Sequence, residues 1–184
     1  MNTYSTQNEL LLNNLLDFYE EAKYNKMLKI INGESKISLR IVDWFTTNYA
    51  KKYYTVYDIE YDNGLTKRFK VYNDYKLQLK AYSKRRFDPF CRWDRIFVPY
   101  RNDKQIQTTI GQLNFFRWAI ENKVIEFIED NYNFIENDMN SRNSTAKNQD
   151  RIQDKKTRKR REELSLLASK SIKKEEVEII VNFN

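Results

Sequence analysis

Asp62-Asn63-Gly64 lies between two runs rich in aromatic and β-branched residues, YYTVYDIEY before it and LTKRFKVY after it. A turn signal flanked in this way specifies a β-hairpin, and its register decides which side chains can face a core. A two-residue Asn63-Gly64 loop sets Tyr57 against Lys70 and Asp58 against Phe69, mixing apolar and charged groups on both faces. A three-residue loop over 62–64, with Gly64 at the φ > 0 position, sets Tyr57 against Phe69 and Asp58 against Arg68. Tyr57, Ile59, Tyr61, Leu65, Phe69 and Val71 then share one face, and Asp58, Glu60, Thr66, Arg68 and Lys70 the other. A one-residue slip would exchange the faces, so burial favours the three-residue loop. Asp58 and Glu60 are a carboxylate pair of the kind that holds a divalent ion in a metal-dependent nuclease. Cross-strand pairing with Arg68 and Lys70 on a solvated face is the simpler reading.

Several reaction classes are excluded by what the chain lacks. Histidine is absent, which removes Ser-His-Asp and Cys-His catalysis and every His-containing zinc site. The single cysteine, Cys91, has no disulfide partner and no CxxC motif; Arg92 and Arg95 are near enough in sequence to activate it, but a small buried residue is the simpler reading. The three glycines, Gly33, Gly64 and Gly111, make neither a P-loop nor a dinucleotide fingerprint. The expectation is a protein with no cofactor, no metal and no enzymatic activity. Its 184 residues suit one domain with a proper core, and 33 Lys and Arg against 26 Asp and Glu give a net charge of +7, suited to polyanions. No apolar run is long enough to span a membrane, and the N-terminus lacks signal-peptide features. An intracellular, non-secreted protein is expected.

Residues 8–31 read as helix, one long or two joined near Lys23, with Leu11, Leu12, Leu15, Phe18, Tyr19 and Ala22 as the apolar stripe. Asn32-Gly33 supplies the stop. Ser38 caps a second helix to about Ala50. After the hairpin, Asn73 or Asp74 is placed to cap a short helix with Tyr75, Leu79 and Tyr82 on one side and Lys76, Lys80 and Lys84 on another. Lys84-Arg85-Arg86-Phe87 follows, then the Asp88-Pro89 turn. Arg92, Arg95 and Arg101 stand among Trp93, Phe97 and Tyr100, with 96–98 a short strand ended by Pro99. Cations that neutralise phosphates beside aromatic stacking surfaces are the chemistry of nucleic-acid binding. The competing reading buries Phe87, Phe90, Trp93 and Phe97 and pairs the arginines with Asp88 and Asp94.

Thr109-Ile110-Gly111-Gln112 reads as a capping box opening a helix that breaks at 121–123 and continues. Glu126, Glu129, Asp130 and Glu136 make the second helix acidic, so the pair reads as an αα-hairpin for packing, not a DNA-reading helix-turn-helix. Residues 1–136 thus form a helical and hairpin core, and 137–154 a polar linker or exposed loop. Residues 155–184 add a basic helix and a strand, 176–183, that returns to the hairpin sheet. The expected class is α+β, helices packed on a small, mainly antiparallel sheet.

Three segments, YKLQLKAYSKRRFDPFCRWDRI, TTIGQLNFFRWAIENKVIEFIE and RKRREELSLLASKSIKKEEVEIIVNF, resemble a family of proteins from the nucleocytoplasmic large DNA viruses, the giant viruses. The resemblance implies a viral setting, in host cytoplasm, viral factory, nucleus or virion, and transfers no site residue. Charge and aromatic placement alone nominate Lys84, Arg85, Arg86, Arg92, Trp93 and Arg95, with Lys155, Lys156, Arg158, Lys159, Arg160 and Arg161, as contacts to nucleic acid. DNA is favoured over RNA, other viral proteins are further candidate partners, and a structural or virion-interaction role is the alternative.

Overall fold

The hairpin forms in the three-residue register. The computed structural model describes residues 6–61, 64–91, 94–101 and 104–152. In it β1 (Val56–Glu60) and β2 (Thr66–Lys70) pair antiparallel, with Tyr57 opposite Phe69 and Asp58 opposite Arg68. Tyr61 N–H donates to the Leu65 carbonyl at 2.9 Å, and Gly64 takes a φ of 75°, a left-handed backbone that costs glycine little. Ile59 and Phe69 are buried while Tyr61 and Leu65 stay exposed. The apolar face is therefore covered only at the end nearer the helices.

The first helical stretch breaks four residues earlier than Lys23. Helix α1 (Gln7–Phe18) opens on a complete Thr6–Glu9 capping box, and α2 (Glu21–Ile31) follows. Between them Tyr19 turns to extended backbone, stacks on Tyr24 and donates its hydroxyl to the Leu113 carbonyl at 2.6 Å. A buried phenol needs such a partner, and reaching it ends the helix. Ser38 caps α3 (Leu39–Trp44) as expected, accepting from Ile41 N–H. The chain then passes through a π-helical turn (Phe45–Tyr49) into α4 (Ala50–Lys52). The Thr46 and Thr47 hydroxyls both donate to the Asp43 carbonyl, at 3.1 and 2.7 Å, competing for an acceptor of the regular helical ladder.

Helix α5 (Val71–Phe87) begins directly where β2 ends, so neither Asn73 nor Asp74 is its cap. Asp74 instead accepts from the Trp118 indole N–H at 2.7 Å. Trp118 belongs to α6 (Ile110–Glu121), which is apolar nearly all round and correspondingly buried, with Leu113, Phe115, Phe116, Trp118 and Ala119 in the core. Each such aromatic contributes about 1.5–3 kcal/mol by leaving water. Phe69 from β2, Tyr75 and Phe87 from α5, and Phe115 and Trp118 from α6 form one aromatic cluster.

A second hairpin precedes α6. Strand β3 (Arg95–Arg101) continues through Pro99, beyond the short strand expected over 96–98, and pairs with β4 (Lys104–Thr109). Proline is tolerated because the sheet has only two strands and the register shifts between Pro99 and Arg101. After α6, Lys123 takes a left-handed φ of 52° and starts α7 (Val124–Asp130), completing the expected αα-hairpin.

Helix α8 (Tyr132–Ile152) runs on into the stretch expected to be a polar linker or loop. Its Asp138 is the reason at the core end. The buried carboxylate accepts from Lys52 at 2.5 Å, the Tyr53 hydroxyl at 3.1 Å and the Trp44 indole at 3.2 Å. Burial alone would raise its pKa; the hydrogen bonds from Lys52, Trp44 and Tyr53 outweigh that and hold it below the usual range. The described residues thus form an α+β fold with two separate two-stranded sheets. The expected strand over 176–183 lies outside them.

Candidate nucleic-acid interface

The sequence-nominated cations that can be placed sit at the junction between α5 and β3. Lys84, Arg85 and Arg86 occupy the last turn of α5, where positive charge also complements the helix dipole. Arg95 begins β3. Arg85 and Asp94 form an exposed ion pair at 2.6 Å that ties the helix end to the strand. Arg86 reaches Gln7 of α1 at 3.3 Å, and Arg95 donates to Gln107 across the hairpin at 2.8 Å. Arg92, Trp93, Lys155, Lys156, Arg158, Lys159, Arg160 and Arg161 lie outside the described residues. Of the aromatics, Phe87 is fully buried, Phe90 is half-buried and Phe97 is 53% exposed. One ring and one arginine thus serve the fold, while another ring and other cations face solvent.

Helix α6 builds this junction from underneath, by gripping main chain. Asn114 donates to the Arg86 carbonyl at 2.9 Å, Gln112 to the Pro89 carbonyl at 3.1 Å and Thr109 to the Cys91 carbonyl at 3.3 Å. All three of these side chains are buried, as is Cys91 itself. At Gly111 an added Cβ would stand 3.0 Å from the Asp88 carbonyl oxygen and 3.1 Å from that of Arg85. Contacts that close, made against backbone, favour glycine. Asp88 adds an Asx turn, accepting from Phe90 N–H at 2.8 Å. Upstream, Ser83 is held at φ 64°, ψ 166°, a region that is essentially glycine's, and it kinks α5 just before the basic run. The capping-box pattern gave Thr109 and Gln112 their place at the helix start; nothing in sequence spacing showed that Gln112 and Asn114 reach back to residues 86–89.

Electrostatics separate the cations into two groups. Lys26, Lys52, Arg85 and Arg117 each meet a carboxylate, on Glu126, Asp138, Asp94 and Glu121. Exposed Lys76, Lys80 and Lys84 meet none within ion-pair distance among the described residues. Lys76 and Lys80, one helical turn apart, line an open groove of 610 Å³ with Asn73, Leu77 and Leu79. The sequence had set these three lysines on one face, and the kink at Ser83 now separates Lys84 from the other two. Lys84 also acts on a buried neighbour. Burial pushes the Asp43 carboxyl up to about 7, Asp88 adds to the rise and Lys84 opposes it. Asp58 and Glu60 stand on the exposed side of β1, and no group of three or more metal-ligating side chains occurs among the described residues.

With this fold and surface, the chain belongs to a family of unknown function (DUF7197), which it matches over residues 2–183. It is 47% identical over 151 residues to an uncharacterised protein of Acanthamoeba polyphaga mimivirus, an alignment covering 79% of this chain and 57% of that protein. The chain thus spans little more than half the length of the curated relative it matches, and the resemblance to giant-virus proteins is borne out. No solved structure matches the chain. No helix among the described residues is long and apolar enough to cross a membrane.

Proposed function

We propose that this protein is a non-enzymatic nucleic-acid-binding protein of a giant-virus family, DNA being its first partner. One observation carries the reading: Lys76 and Lys80 project from α5 with no carboxylate to neutralise them among the described residues, and Lys84 meets none within ion-pair distance and only buried Asp43 at longer range, although 26 acidic side chains are present in the chain. Uncompensated surface cations repel one another and are relieved by a polyanion, whose condensed counterions they release. The run over 155–161 adds six further cations to the sequence's capacity for phosphate.

Binding of duplex DNA across a salt series tests the reading. Changing Lys76, Lys80 and Lys84 together to Gln should make the log–log salt slope shallower by about 2–3 units. Changing Lys155, Lys156, Arg158, Lys159, Arg160 and Arg161 to Gln should do so by about 3–4 units if four phosphates are contacted. A wild-type protein that fails to bind DNA at low salt overturns the proposal. The alternative, a structural or virion-interaction role, then takes its place. It draws on the exposed Tyr53, Tyr54, Val56, Tyr61 and Leu65 in and beside the first hairpin, an apolar surface suited to another protein.

A further inference from the structure

The outward face of the second hairpin has a composition that a solvated sheet face does not need. Along β3 the side chains alternate: Ile96 and Val98 turn inward, and Arg95, Phe97 and Pro99 are exposed. Opposite them on β4 stand Gln107, paired with Phe97, and Gln105, paired with Pro99. Five outward side chains thus include a ring, a guanidinium and two primary amides, and no carboxylate. Asp94, which precedes the strand, is already held by Arg85.

The polar groups on this face are arranged around the ring. Arg95 Nη1 donates to Gln107 Oε1 at 2.8 Å, so the guanidinium lies across the hairpin beside Phe97. That bond fixes the Gln107 carbonyl and leaves its amide N–H groups without a partner among the described residues, as are both ends of the Gln105 amide. A cation, a π-face and free amide donors and acceptors match a phosphate, a base and a base edge in turn. A base in a duplex offers its edge but not its face, whereas an unpaired base has a face free to cover the exposed Phe97 ring.

We propose that the outer face of β3–β4 is a stacking platform for single-stranded nucleic acid. A base stacks on Phe97, Arg95 engages the adjoining phosphate, and Gln105 and Gln107 meet base edges. This deepens the nucleic-acid reading above and rests on it. The α5 lysines supply sequence-independent attraction to either form of DNA, and Phe97 supplies the preference for unpaired bases.

The test uses the full chain, fluorescence anisotropy, a labelled oligodeoxythymidylate and a labelled duplex of the same length. Phe97→Ala should weaken binding of the single strand about tenfold, leave its salt slope unchanged and leave the duplex unaffected. Phe97→Tyr should restore the affinity, because it keeps the π-face. Phe97→Leu should not, because it keeps only apolar bulk. Equal single-strand affinity for the wild type and Phe97→Ala overturns the platform while the nucleic-acid reading stands. Recovery by Phe97→Leu also overturns it, and identifies the face as an apolar docking surface for protein. If the wild type binds neither probe, the broader reading fails and the platform with it.

Discussion

The two hairpins share a topology and differ in what they turn outward. Each is a two-stranded antiparallel ladder with one buried face, through Ile59 and Phe69 in the first and Val98 and Ile106 in the second. Outside, β1–β2 carries both signs of charge, with Asp58 opposite Arg68 and Glu60 opposite Thr66. Among the described side chains, the outside of β3–β4 carries one cation, one aromatic ring, a proline and amides, and no carboxylate. Mixed charge is what a sheet face needs to remain in water without a partner. A carboxylate-free face with an exposed ring gives up that protection, and the loss is understandable where something else is to lie on it. Equivalent inner faces with unlike outer faces thus separate what holds this fold from what it presents.

The inner faces should yield the largest effects, and yield them together. Phe69→Ala removes a ring that packs against Tyr57 and Trp118 and should cost about 3–5 kcal/mol in urea unfolding. Ile106→Ala should cost about 2–5 kcal/mol at the equivalent depth. A loss at Ile106 below about 0.5 kcal/mol would mean that the second hairpin is not part of the common core, and would break the equivalence.

An acid response should distinguish the surroundings of the second hairpin. Asp43 lies near Asp88 and Lys84, at the helix end that leads into β3, and burial pushes its carboxyl up to about 7. An unfolded aspartate titrates near about 3.9, so the native state binds the proton more tightly between those values. Stability therefore falls as pH rises through that window. Asp43→Asn should flatten this part of the stability profile and raise stability at alkaline pH by on the order of 2 kcal/mol. Melting curves from acid to alkaline pH check it; an unaltered slope for the variant would detach Asp43 from the effect.

Smallest of all should be the outer face of the first hairpin. Asp58→Asn with Glu60→Gln should change stability by less than about 0.5 kcal/mol, since both side chains are exposed. Adding magnesium or manganese should leave the wild-type melting temperature where it was. A metal-dependent rise abolished by the double variant would restore the divalent-ion site that the sequence raised, and would give this face a ligand as well.

What was legible follows the range of the forces involved. The first hairpin's register, the Ser38 cap and the break before α7 depend on neighbours in sequence, and all were readable. So was the resemblance to giant-virus proteins. Strand β4 escaped notice because Pro99 read as a terminator, when an edge strand tolerates it. The early end of α1 depends on Tyr19 finding a carbonyl 94 residues away, which no local pattern encodes. Likewise, α8 extends into a polar stretch after Asp138 has gathered Lys52, Tyr53 and Trp44 from another part of the chain. At the candidate interface the cations were visible in the sequence, but their sorting into paired and unpaired was not. That depends on which carboxylates the fold brings within reach.

The grip of α6 on residues 86–91 has a consequence for how the family can diversify. Asn114, Gln112 and Thr109 bond to carbonyl oxygens, which every amino acid possesses, so the hold is indifferent to the side chains of the segment held. Half-buried Arg86 and the exposed Lys84 before it can be exchanged for other residues, altering charge or reach, without breaking these bonds. The gripping side has no such latitude: a Cβ at Gly111 meets backbone, and Asn114 or Gln112 without its amide leaves a buried carbonyl unpaired. Across relatives, the gripping helix and the buried Phe87, Pro89 and Cys91 should therefore drift slowly, while the exposed cations just before them, Lys84 and Arg85, drift fast. A single scaffold could in this way present different recognition surfaces in different viruses.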